Sequence, residues 1–436
     1  LLPGFAANVP AWNRLREMVV THTALERGST IDFDYILSTA KGYSPSLMGN
    51  EQLLMNSPVK KLTFKITVPS GAILNFEQYN IAAKPTVTKQ NGVTTYTWVL
   101  PDLPATTRED FRPREQQNRP RIVFVASTKA TDPMLGFAMQ DAFKCEAGSD
   151  IKQAAAEAVK GIDKPLLKAL KLQEKVVAEL NNWQVPMQYT GYKLQNAAAT
   201  WKTNGGNEAE KAVLLAAMLK SVNIQAEPVA VVAERFYVKK TASPALIDRT
   251  LVKVSIQGMD PIYLSATQVE QQDVKFQLAG KRIISLVPGK KLVSEVLPEV
   301  NNLLSVSGNL KLDPSLTLAG SLGLEIGGRL NPWLRLQKDT TFTTGFLSGL
   351  LGSGKVNKVA KGKTDMDLTS FSYNISAASF ASETGGHVFL KLPSATVGSD
   401  SWHMSELVST RTKPLRFPDR ARTNPVIGAC KVPTNI

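Results

Sequence analysis

The sequence predicts a multidomain α+β protein, and three observations carry that prediction. The chain has 436 residues, enough for about three domains at roughly 150 residues each. Its two ends show period-two alternation and turn residues, the pattern of β structure. Between them lies a block of high helix propensity followed by short apolar strands. Apolar residues make up 43% and charged residues 20%, a globular composition.

Within residues 1–145, Thr30–Ser38 (TIDFDYILS) and Lys60–Val68 (KKLTFKITV) alternate apolar and polar side chains, and the second run ends on the turn signal Pro69-Ser70-Gly71. Thr94–Leu100 (TTYTWVL) and Arg121–Ala126 (RIVFVA) are two further strand-like runs. Pro101–Pro120, polar and rich in Pro and Arg, reads as a surface connection. Short strands separated by turn signals predict an N-terminal β-sandwich. The pattern changes near Cys145. Asp150–Leu180 has helical spacing, and Gly161 and Pro165 divide it into two helices. Glu208–Ser221 is apolar nearly all round, which predicts a buried helix. Strands follow at Glu227–Ala233, Thr250–Ile256 and Ile262–Leu264, so residues 146–274 read as a compact α+β domain. Residues 275–436 return to β features, best in Ser305–Leu312, Ser315–Leu324 and His387–Leu392, with a Gly-rich stretch at Gly345–Lys363.

Composition narrows the chemistry. Two cysteines exclude a disulfide scaffold and a multi-cysteine metal site. The three histidines (His22, His387, His403) are far apart, so no metal and no cofactor are expected. The longest apolar run, Ala212–Leu219, is far short of the ~20 residues of a membrane helix. Net charge is +14, but the excess is spread out: Lys and Arg outnumber Asp and Glu by 19 to 11 from Gly280 onward and by 32 to 26 before it. The densest patch (Arg411, Lys413, Arg416, Arg420, Arg422) is broken by prolines and an Asp, and aromatics do not alternate with basic residues. That argues against nucleic-acid binding. Gly349-x-x-x-x-Gly354-Lys355-Val356 mimics a phosphate loop but lacks the Ser/Thr that holds magnesium and a strand running into it, so it reads as a turn after a short helix. Cys145 and Cys430 are open between a disulfide and free thiols. The six tryptophans, spread among the domains, read as packing anchors. The chain starts Leu-Leu-Pro, which points to a trimmed leader or a start inside a longer chain.

Lys202–Val231 (KTNGGNEAEKAVLLAAMLKSVNIQAEPVAV) carries the most specific pattern. It resembles the core of transglutaminase-like domains of the papain-like cysteine superfamily, G-(D/N)-C-x-(D/E)-(K/Y)-A-x-L-L-x-x-L-L-x-x-x-G-I-x-A-x-P-V. Gly206, Asn207, Glu210, Lys211, Ala212, Leu214, Leu215, Leu219, Ile224, Ala226, Pro228 and Val229 all fit. In such a core a glycine turn leads into a buried helix whose N-terminal amides and dipole lower the pKa of a first-turn cysteine. The N-terminal third looks like the β-sandwich of unknown function that often precedes these cores in Gram-negative bacteria. The last third resembles the β domain that follows.

The departures from the pattern set the functional expectation. Glu208 stands at the nucleophile position. The strand Asp248–Val254 puts Arg249 where the resemblance implies the catalytic His, and Ile262–Thr267 puts Ser265 where it implies the Asp. Glu is a poor acyl nucleophile here and Arg cannot act as a base. Asn207 followed three residues later by Glu210 is a capping box, so the former nucleophile turn reads as a helix start and not as a new acid/base site. Opposite charges at the two changed positions predict a Glu208–Arg249 ion pair. The resemblance then implies a non-catalytic transglutaminase-like protein, periplasmic or otherwise extracytoplasmic, whose cleft holds a peptide, glycan or protein. The rival is an active cysteine peptidase or protein–glutamine acyltransferase.

Overall fold

The computed structural model describes residues 16–21, 23, 25–105, 119–127, 132–269, 277–289, 291–298, 303–328, 331–338, 355–378 and 381–390. The chain is α+β and divides into two compact units. The first comprises Leu1–Thr106, Asn118–Val269 and Gly280–Val296, and the second the remainder.

The first unit opens with six strands: β1 (Leu47–Gln52), β2 (Val59–Pro69), β3 (Ile73–Tyr79), β4 (Thr86–Gln90), β5 (Val93–Leu103) and β6 (Arg121–Ser127). They form two antiparallel three-stranded sheets of order β1-β6-β3 and β2-β5-β4. Alternate residues of each sheet point into one shared core: Ile66, Val68, Trp98 and Leu100 from one, Leu74, Ile122, Phe124 and Ala126 from the other. Trp98 is fully buried at its centre, edge-on to Phe76 at 5.1 Å, and its indole N–H donates to Gln78 Oε1 at 3.1 Å. The β4–β5 hairpin turns on Asn91-Gly92, both at positive φ (48° and 74°), as a two-residue turn between right-twisted strands requires.

One predicted strand is absent. Thr30–Ser38 forms no ladder, and its apolar side chains are exposed. Alternation permits a strand, but pairing needs a partner edge in reach. The element that does pair there is β1, whose sequence LMGNEQ has little strand character.

The rest of the first unit is a helical layer on a five-stranded sheet. Its elements are α1 (Pro133–Ala138), α2 (Ser149–Ala158), α3 (Pro165–Glu179), the short β7 (Asn181–Asn182), α4 (Ala197–Lys202), β8 (Gly205–Gly206), α5 (Glu208–Ser221), β9 (Gln225–Ala233), β10 (Ile247–Ser255), β11 (Ile262–Leu264), β12 (Lys281–Ser285) and β13 (Ser294–Val296). The break between α2 and α3 falls at Gly161 (φ 76°) and Pro165, the first residue of α3. The sheet order is β11-β10-β9-β12-β13, antiparallel throughout. Every residue of α5 from Ala209 to Leu219 is buried, because the helix packs on β9 and β10 and is covered by α2, α3 and α4. Such a helix has no polar face to give to water, which is why its sequence is apolar all round.

Sandwich and α+β layer meet within this unit through aromatic and polar contacts. The guanidinium of Arg121 lies 4.4 Å over the ring of Phe236, which Tyr79 meets edge-on at 4.9 Å. Asn50 Nδ2 donates to the carbonyl of Ala245 at 3.1 Å, and Tyr43 Oη donates to the carbonyl of Tyr189.

The second unit contains an antiparallel four-stranded sheet of order β14-β15-β17-β16, built from β14 (Leu303–Leu312), β15 (Leu318–Gly327), β16 (Lys355–Thr364) and β17 (Leu368–Ala377). The helix α6 (Trp333–Lys338) contributes Leu336 to a core with Leu322, Leu324, Ile326, Phe371, Tyr373 and Ile375. β18 (Ala381–Thr384) and β19 (His387–Leu390) make a hairpin. Lys355 opens β16, so the downstream part of the Gly-rich stretch is strand and not turn. Gly349, Gly354, the helix predicted before them, the basic patch from Arg411 to Arg422, Trp12, Trp402, His22, His403 and Cys430 lie outside the described residues. No helix among the described residues is long and apolar enough to cross a membrane.

Candidate functional site

The start of α5 is built by close backbone approach. β7 and β8 pair in parallel, and the amide of Trp183 donates to the carbonyl of Gly206 at 3.0 Å. A Cβ on Gly205 would fall 2.8 Å from the Trp183 indole nitrogen, and one on Gly206 would fall 2.9 Å from Glu210 Cβ. Both positions therefore exclude a side chain. The capping box is present in full: Glu210 N donates to Asn207 Oδ1 at 3.0 Å, and Asn207 N donates to Glu210 Oε2 at 2.9 Å. Glu210 Oε1 accepts a further bond from the amide of Gln195 at 3.0 Å, so this carboxylate ties the start of α5 to the segment that precedes α4. Burial pushes the Glu210 carboxyl above its ordinary range, and the amides of Gln195 and Asn207 pull it back only in part. The next residue, Lys211, is 1% exposed and donates from Nζ to the carbonyl of Leu180 at 2.8 Å. Burial without a counter-charge lowers its pKa to about 8.

Glu208 occupies the first turn. Its Oε2 accepts a hydrogen bond from the backbone amide of Thr250 at 2.9 Å, and its Oε1 lies 3.5 Å from Nε of Arg249. The ion pair expected from the paired charge changes is thus formed, loosely and through one nitrogen. Desolvation raises the Glu208 pKa above the usual carboxylate value, and the Thr250 amide and the Arg249 charge oppose the rise. A register shift in the β10–β9 ladder between Ile247 and Arg249 sets this end of β10. Such an irregularity bends the strand and re-aims its side chains. Asp248, inside the shift, pairs with Lys281 of β12 at 3.0 Å.

A cavity of about 290 Å³ opens over this pair. The segment after β7 (Trp183, Val185, Pro186, Met187) gives an apolar wall, while Glu208, Arg249, Thr250 and Thr267 give polar groups. A few placed polar groups against an apolar wall is the composition common to ligand sites. Of the charged residues that line it, Glu208 faces Arg249, and Asp248 is paired with Lys281 of β12.

The third expected position is not brought to the cavity. Ser265 follows β11, is fully buried, and its Oγ accepts from the amides of Thr267 (3.2 Å) and Gln268 (3.3 Å). It closes a turn, and the cavity is met instead by Thr267. Cys145 is elsewhere. It is a buried free thiol at φ 54°, it donates to the carbonyl of Phe143, and burial pushes its pKa up to about 12. His387 opens the exposed hairpin strand β19. Among the described residues no three His, Cys, Asp or Glu side chains come together as metal ligands.

Trp183, Met187 and Thr267 carried no sequence signal for a cleft, because no motif or spacing marks a loop that becomes a wall only by packing. Trp183 is the packing anchor its residue type predicted, 4% exposed and clustered with Val185.

Residues 2–107 match DUF3857, a domain of unknown function with a solved structure. No curated protein matches the chain. The fold is similar to the crystal structure of a candidate protease from Parabacteroides distasonis, with a TM-score of 0.57 at 20% identity, covering 90% of this chain and 80% of that one. A candidate cysteine protease from Cytophaga hutchinsonii aligns over 57% of this chain and 83% of that one, with a TM-score of 0.26 and 12% identity.

Proposed function

We propose that the chain is a non-catalytic transglutaminase-like protein whose central cleft binds a peptide, glycan or protein segment, and that it acts outside the cytoplasm. The division into a sandwich (1–145), a transglutaminase-like domain (146–274) and a C-terminal β domain (275–436) belongs to the same proposal. The observation that supports it is the state of Glu208. At the helix start where the pattern would put an attacking thiol, the carboxylate is committed to the Thr250 amide and faces Arg249. A carboxylate so held is a weak nucleophile, and a guanidinium offers no lone pair to serve as a general base. The cleft nonetheless persists, with an apolar wall and neutral hydrogen-bonding groups suited to backbone amides or hydroxyls.

The reading is tested on the whole chain in two assays. Glutamine- and lysine-containing peptides should be neither cleaved nor cross-linked. A screen of short peptides and glycan fragments by amide chemical shifts should move Trp183, Thr250 and Thr267. Turnover would overturn the first half of the proposal, and shifts confined to other surfaces would overturn the second.

A further inference from the structure

We infer that the junction between the sandwich and the α+β layer holds a small buried anion, of the size of chloride, on Arg121 and Tyr79. The two residues are direct partners in the β3–β6 ladder. Both reach the same ring: the Arg121 guanidinium lies 4.4 Å over Phe236, and the Tyr79 ring meets it edge-on at 4.9 Å. Arg121 is 2% exposed. Its Nη1 donates to Asn50 Oδ1, but its Nε and Nη2 meet no hydrogen-bond partner among the described residues, and neither does the buried Oη of Tyr79. Ser243, fully buried, adds an unpartnered Oγ in the same junction, between the turns Lys239–Thr241 and Pro244–Leu246 that pack on β3, β6 and β1.

The chemistry of these groups selects the occupant. A guanidinium only donates, and the hydroxyls can donate too, so the cluster is rich in donors and poor in acceptors. A buried charged donor without an acceptor is costly. The surrounding charges do not supply one. Arg235 lies 4.6 Å over the same Phe236 ring, which places a second cation beside Arg121. The carboxylates in reach are already matched, Glu77 with Lys240 at 2.8 Å and Asp248 with Lys281 at 3.0 Å. Burial is the main cause that lowers the Arg121 pKa; Asp248 opposes it, and the charges of Arg235 and Arg119 add to it. An anion would accept from the unpartnered donors and offset the paired cations at once, whereas a water brings no charge. The unpartnered atoms have almost no surface open to solvent, which suits a monatomic ion better than a bulky oxyanion.

Such an ion joins two layers. Arg121 and Tyr79 belong to β6 and β3 of the sandwich, and Phe236 and Ser243 to the chain between β9 and β10. That chain is held to the sandwich also by the Lys240–Glu77 pair and by the bond from Asn50 to the Ala245 carbonyl, and it leads straight into β10. The site therefore links the stability of the junction to the anion concentration.

The full chain tests this by melting and by diffraction. Thermal unfolding is followed by circular dichroism while chloride replaces gluconate at constant ionic strength. The melting temperature should climb by about 3–5 °C for each tenfold rise in chloride above its dissociation constant. Tyr79→Phe, which removes only a hydroxyl, should weaken that response, and Arg121→Met should abolish it. Crystals grown in bromide should show an anomalous peak within hydrogen-bond distance of Arg121 Nη2 and Tyr79 Oη. Equal melting in chloride and gluconate, an undiminished chloride response in Tyr79→Phe, or a water where the bromide should lie overturns the proposal. Neither measurement involves the cleft, so the outcome is independent of the function proposed above.

Discussion

The carboxylate of Glu208 accepts the backbone amide of Thr250 at 2.9 Å, closer than its own ion-pair partner Arg249 at 3.5 Å. The helix start is therefore joined to β10 mainly by a side-chain-to-backbone bond, with the charge pair as a looser addition. The two contacts separate in their consequences.

Glu208→Ala leaves the amide of Thr250, a residue 1% exposed, without its acceptor. The expected cost is about 1–3 kcal/mol in urea unfolding. Arg249→Leu removes only a long, partly exposed pair and should change stability by less than about 1 kcal/mol. Equal costs for the two substitutions would show that the ion pair, and not the amide bond, holds the site.

Glu208 also predicts a pH dependence. Its folded-state pKa is raised, so the folded protein holds this proton more tightly than the unfolded chain. The stability linked to it is present at acid pH and is lost as pH rises through the folded pKa. Relative to wild type, Glu208→Gln should therefore gain stability from pH 4 toward pH 7. Melting temperatures of the two proteins across that range give the difference directly, and a flat difference would contradict the raised pKa.

The capping box sets a second scale. Asn207→Ala should cost about 1 kcal/mol, the usual value of a lost N-cap. Glu210→Ala strands the amides of Gln195 and Asn207 together and should cost about 2–4 kcal/mol.

Lys211 titrates in the opposite sense. Its pKa is lowered to about 8, so between there and the ordinary lysine value the unfolded chain binds more protons than the folded one. Stability should rise with pH across that window, and Lys211→Met should abolish the rise. Chemical unfolding at pH 7.5, 9 and 10 reads the slope.

How far the sequence foretold this architecture varies by element. α5 was legible because its apolar run has no polar face and Asn207 and Glu210 mark its start. β2 and β5 were legible because their side chains alternate against a single core, and β6 because it is a short apolar run buried along its length. β1 and β3 were not, since LMGNEQ and ILNFEQY are strands only through their pairing with β6. Thr30–Ser38 shows the converse, a strand pattern that pairs with no strand among the described residues. Within the site, Glu208 and Arg249 met as their charges suggested. Ser265 did not join them, because its hydroxyl turns to the amides of Thr267 and Gln268. The apolar wall from Trp183 to Met187 had no periodicity to betray it.

The central claim is that the cleft holds no attacking group, and a thiol-directed active-site probe tests it most directly. The intact chain is incubated with an epoxide or haloacetamide at pH 7, and modified residues are mapped by mass spectrometry. Glu208→Cys, which sets a thiol at the helix start, serves as the positive control. The account predicts that the control is labelled in the cleft, that Cys145 in the native chain stays unmodified until the protein is unfolded, and that no peptide changes the native pattern. Stoichiometric labelling of a native cysteine, blocked by a peptide that also competes at the cleft, would contradict it.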